Sequence, residues 1–138
     1  MNNRDKQLID LRPSIPTITE VSATSSAEQF QNKTLRPILK LQHHLLVQIF
    51  QQYIIQRKNI YPTLSKEKKI AYIEDSIRKD LKFRSLLVGV VVGHFTLDEW
   101  QLYIQNENEL RKRLVNMIVE RLKAVSYTHL TLPTICSV

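Results

Sequence analysis

The amino-acid sequence predicts an all-α fold: a compact bundle of about four to six helices with an extended N-terminal arm. Three observations lead there. Apolar side chains recur at three- and four-residue intervals through most of residues 25–124, the spacing of one face of a helix. Gly89 and Gly93 are the only 2 glycines in 138 residues, whereas sheet proteins need glycine at turns and bulges. Two hydroxyl residues, Ser25 and Thr96, are each followed three positions later by a glutamate, the pattern of a capping box. Hydrophobic residues make up 43% and charged residues 24%, which excludes a disordered chain. A chain of this size hides roughly two thirds of its unfolded surface, enough to fold without metal or disulfide.

Three segments follow from the composition. Residues 1–24 read as the arm, because Pro13 and Pro16 lack an N–H and push their predecessors to extended backbone. Ile15, Ile18 and Val21 lie three apart, but the Pro, Thr and Ser among them favour extended chain. Residues 25–124 read as the helical domain. Residues 125–138, VSYTHLTLPTICSV, carry no charge and break the helical spacing. The codons GTC TCT TAT ACA CAT CTG ACG CTG CCG ACG encode VSYTHLTLPT, and this tail resembles a translated sequencing adapter. On that reading the tail is non-native, the true C-terminus is lost, and Cys136, the lone cysteine, carries no thiol chemistry.

Within the domain, Ser25 and Glu28 open the first helix. Thr34 is expected to cap a second start, since Pro37 is tolerated only in a first turn, so one kinked helix or two cover this region. Leu35, Ile38, Leu39, Leu45, Leu46, Ile49, Phe50, Tyr53 and Ile54 form a broad apolar face that should end near Asn59. Ser65 caps the next helix, with Ile70, Ile73 and Ile77 on its buried side. Asp80 caps a helix over Leu81–Val92. That helix is apolar nearly all round, as expected of a central buried helix. Gly89 would allow a close neighbour, and Gly93 would end the helix. Thr96 and Glu99 start a helix through Trp100 and Tyr103 that breaks at Asn106 or Asn108. Leu110, Leu114, Met117, Ile118 and Leu122 continue the spacing beyond it.

No pattern of catalytic or cofactor-binding residues stands out, and no cofactor is expected. His43 and His44 are adjacent, so on a helix they point apart and cannot share one ion; His43 reads as a helix-edge residue and His44 as solvated. His94 follows a helix C-terminus, where positive charge is welcome. The glycine spacing cannot form a phosphate loop. The net charge of +7 and the pI of about 9.7 permit nucleic-acid or acidic-partner binding. Its candidate contacts are Arg78, Lys79, Lys82 and Arg84 at one helix junction and Arg111, Lys112 and Arg113 on the last helix. The plain alternative is a pair of solvated faces. Trp100 and Tyr103 are candidate partner anchors if exposed, and core residues otherwise. Met1–Asp10 is polar, and the longest apolar run, Leu86–Val92, is far short of the roughly 20 residues a spanning helix needs. No membrane association and a cytoplasmic location are expected.

Residues 1–124, through segments such as LRPSIPTITEVSA, AEQFQNKTLRPILKLQ and LSKEKKIAYIE, resemble a small all-helical bacterial family without an assigned activity, some relatives of which are labelled "glyoxalase". The label implies paired βαβββ units with His and Glu ligands on strands. This chain shows neither, and no residue carries over. The leading expectation is a non-enzymatic interaction or structural module binding an unknown protein or itself. A weak, sequence-tolerant nucleic-acid binder stands second and a glyoxalase-type lyase third.

Overall fold

The structure, a computed structural model, describes residues 2–15 and 25–128, with side chains as far as Ser126. Among these residues lie seven α-helices and no strand, so the fold is all-α. We number them α1 (Asn3–Leu11), α2 (26–41), α3 (His43–Gln56), α4 (Lys66–Lys79), α5 (Leu81–Val92), α6 (Leu97–Gln105) and α7 (Glu107–Thr128). A 3₁₀ turn, Tyr61–Thr63, precedes α4. Ile18, Val21, Cys136 and most of the adapter-like tail lie outside the described residues.

The first half of the expected extended arm is instead helix α1. Asn2 caps it, its side chain accepting from the Asp5 N–H at 2.7 Å. The helix stops at Leu11 because Arg12 precedes Pro13 and takes extended backbone (φ −74, ψ 132), as proline requires of its predecessor. Helix α2 is one helix with an internal irregularity rather than two helices capped at Thr34. Ser25 caps it by accepting from Glu28 N–H. Gln31–Leu35 forms a π-helical turn, and the Arg36 N–H reaches back to the Gln31 carbonyl. A wider turn here accommodates Pro37, which has no N–H to give and whose ring crowds an α-helical carbonyl. Thr34 is buried, not a cap.

The expected end of α3 is found. Lys58 (φ 67) and Asn59 (φ 51) adopt left-handed backbone, and the Asn59 N–H returns to the Ile54 carbonyl at 3.0 Å, closing the helix. Ser65 caps α4, accepting from Lys68 N–H, and Asp80 caps α5 by accepting from Phe83 N–H at 3.1 Å. Thr96 and Glu99 form the complete capping box of α6.

Contacts along the chain gather into two units. The first comprises residues 1–43 and 88–114. Its core is Phe30, Leu35, Ile38 and Leu39 of α2, Val91, Phe95, Tyr103, Leu110 and Leu114. Phe30 meets Phe95 edge-on at 5.5 Å, and Tyr103 lies 5.3 Å from Phe95. The second unit comprises residues 44–87 and 115–138. Leu46, Phe50, Ile54, Ile73, Ile77, Phe83, Leu87, Ile118 and Leu122 form its core. There Arg57 lies 4.0 Å over Tyr53, Tyr53 stacks on Phe83 at 3.9 Å, and Asp80 accepts from both Arg57 (2.7 Å) and the Tyr53 hydroxyl (3.1 Å). Hydrogen bonds from Arg57 and from the Phe83 backbone hold the Asp80 carboxyl down at about 2.

Helix α5 is not buried on all sides. Phe83, Leu87 and Val91, at four-residue steps, are buried, while Leu81 and Leu86 stand 57% and 52% exposed. Nor does a neighbour approach Gly89, where an added Cβ would meet nothing within 4 Å. Gly93 follows the helix without left-handed backbone. Leu87→Ala should therefore cost about 2–5 kcal/mol, and Leu86→Ala no more than about 0.5 kcal/mol, read from urea unfolding of the two variants. Equal losses would contradict the one-sided burial of α5.

Candidate functional site

In the first unit the strongest feature is an exposed apolar side of α6 held on a buried polar lock. The lock begins with the α6 capping box. Glu99 must turn back toward the Thr96 N–H, which its Oε1 accepts at 2.8 Å. That brings the carboxylate to Arg12, just beyond α1, which donates through both Nη atoms, each at 2.6 Å. The two side chains are only 8% and 14% exposed. Arg12 also donates to the His94 carbonyl at 2.8 Å, and the Thr34 hydroxyl donates to Glu99 Oε2 at 3.1 Å. Every face of the carboxylate is thus occupied, the condition under which a buried charge is tolerated. Burial pushes the Glu99 carboxyl up, but the Arg12 and Thr96 hydrogen bonds outweigh it and hold the group below its ordinary range. Buried Asp5 adds a second tie from α1, accepting from the Leu97 N–H at 3.1 Å.

His94 does not serve as a helix-end cation. Burial, reinforced by Arg12 and Arg4, pushes its pKa down. Its Nε2 lies 2.8 Å from the Gln42 side-chain nitrogen. With that amide donating, the ring proton sits on Nδ1, which is buried without a partner.

Above the lock, Leu97, Trp100 and Ile104 follow three- and four-residue steps along one side of α6 and are 56%, 41% and 41% exposed. The two aromatic candidates divide: Tyr103 is core at 2% exposure, and Trp100 is surface. Trp100 nevertheless stacks on Tyr103 at 5.9 Å, so the outward indole rests on a ring fixed by Phe30 and Phe95. Exposure could not be read locally, because both residues fit an apolar helix pattern.

The basic candidates fall into different settings. Arg111 pairs with Glu107 and Arg113 with Glu109, each at 2.9 Å and one helical turn away. Arg113 also donates to Gln31. Lys112 is exposed. In the second unit Lys79 pairs with Asp75 at 3.6 Å, Arg78 donates to Asn116, and Arg84 donates to the Arg78 carbonyl. Lys82 is exposed. The structure thus brings Arg78 and Arg84 together and engages much of the last-helix cluster locally. The charge is nonetheless uneven. The second unit has eleven Lys and Arg against five Asp and Glu, and the first has nine against eight, so six of the seven net positive charges lie in the second.

His43 is half-buried and His44 exposed. Among the described residues no three of His, Cys, Asp and Glu converge to hold a metal ion, and no helix is long and apolar enough to cross a membrane. No family model matches the chain, and no curated protein or solved structure matches it.

The lowered His94 pKa sets a pH dependence. The unfolded imidazole, with a pKa of 6.5, takes up protons that the folded one resists. Its contribution to stability is therefore present above about 6.5 and is lost as the pH falls below that value toward the folded pKa. Stability measured by urea unfolding should decline from pH 7 to pH 5, and His94→Gln should flatten that decline. An unchanged slope in the variant would count against a neutral, half-buried His94.

Proposed function

We propose that the chain is a non-enzymatic interaction module that docks a partner protein on the Leu97–Trp100–Ile104 side of α6. The observation that carries this is the placement of Trp100, outward between two exposed aliphatic residues yet braced from beneath by buried Tyr103. A large aromatic held rigid loses little conformational freedom on binding, and tryptophan is the residue type most often dominant in interfaces. The lock supports the same reading: α6 is tied at its first turn through Leu97 N–H and Glu99, so its apolar side is presented in one orientation. The glyoxalase label implied by the resemblance gains no ligand set among the described residues.

The uneven charge favours a second reading, a weak and sequence-tolerant nucleic-acid contact through the second unit. Phosphate contacts need only cations, and their signature is affinity that falls steeply with salt. Neutralising Arg78, Lys79, Lys82 and Arg84 together should then abolish retention on single-stranded DNA at low salt.

For the docking face, a photo-crosslinking residue at Ile104 should give discrete protein adducts in cells, either with a second copy or with another protein. The same probe at exposed Gln52 should give none. Trp100→Lys should remove the adducts while changing stability by less than about 1 kcal/mol. Equal labelling from both positions, or adducts that survive Trp100→Lys, would refute the α6 face.

A further inference from the structure

On the opposite side of α6 from Trp100, a cleft of about 460 Å³ opens between α2 and the corner where α6 meets α7. It lies wholly in the first unit. One side of α2 lines it from its first turn to the π-helical turn, ending in Lys33 and Thr34. Leu102, Asn106 and Leu110 line the other wall. The volume falls in the range of small-molecule sites, which are mostly apolar with a few placed polar groups.

We propose that this cleft binds a small amphipathic carboxylate, an acid group on a short aromatic or aliphatic body. Phe30 supplies a floor whose ring is held edge-on by Phe95, and Leu102 and Leu110 supply the flanks. Lys33 lines the cleft and supplies the charge: it is exposed, and no carboxylate pairs with it among the described residues. The carboxylate nearest in the network, Glu99, is already neutralised by Arg12 behind Thr34, so it does not repel an incoming anion. Asn106, where α6 breaks (φ −141, ψ 48), places an amide at the same mouth. The cleft does not depend on the docking face, because Leu102 points away from Leu97, Trp100 and Ile104 around the helix.

The test is an NMR titration of the ¹⁵N-labelled full chain with 4-phenylbutyrate. Saturable shifts should centre on the amides of Ala27, Lys33, Leu102 and Asn106. Lys33→Gln should weaken the affinity about fivefold, the scale of a part-exposed ion pair. The neutral 4-phenylbutanol should bind the original chain more weakly than the acid, and the Lys33→Gln chain about as well as the acid does. Leu102→Asp, at a position 55% exposed and so harmless to folding, should abolish the shifts. Absence of saturable shifts, shifts centred elsewhere, or equal affinity in Lys33→Gln would overturn the assignment.

Discussion

The first unit depends on the pairing of Arg12 with Glu99. A buried carboxylate is costly unless each lone pair is met and its charge balanced, and here four donors meet it: two guanidinium nitrogens, one backbone N–H and one hydroxyl. Glu99 can play this part because it already closes the capping box of α6. The cap turns the side chain inward, and Arg12 makes the inward position tolerable. Through this one pair the segment after α1, the π-helical turn of α2 and the start of α6 are held together. The apolar side of α6 and the cleft beyond it inherit their positions from that arrangement.

The second unit solves a similar problem with aromatic rings. Asp80 caps α5 and also receives Arg57 and the Tyr53 hydroxyl, while Tyr53 is pressed between Arg57 and Phe83. A helix cap again serves a longer-range tie. Glu74 and Lys123 form a further ion pair that links α4 to α7 within the same unit. Each proton equilibrium moves as its partner dictates, Glu74 downward and Lys123 upward, chiefly through their mutual hydrogen bond.

Legibility in the sequence followed the range of each interaction. The caps at Ser25, Ser65, Asp80 and Thr96 were readable because donor and acceptor lie three residues apart. Asn2 stands three residues before Asp5 in the same way, but Pro13 and Pro16 beyond it favour extended backbone. Thr34 looked like a cap because Pro37 demanded an interruption; the chain met that demand with a π-helical turn, leaving the hydroxyl free to turn inward to Glu99. The basic runs were visible, but not the acids that sit beside them once the helix is wound. Lys33 carries no signal in the sequence, since a single lysine gains meaning only from the cleft around it.

Helix content, the caps at Ser25, Ser65, Asp80 and Thr96 and the net basic charge were determined by the sequence alone, because they rest on side-chain spacing and on bonds that close within one turn. Which apolar residues stayed outside was decided only by the tertiary structure. Leu86 and Leu87 are chemically the same, and so are the reasons Trp100 and Tyr103 could each have been buried; the packing chose between them by the direction each side chain takes from its helix. The meeting of Arg12 with Glu99, 87 residues apart, belongs to the same class. A bond between distant residues exists only after two helix faces have met, so no local pattern can announce it.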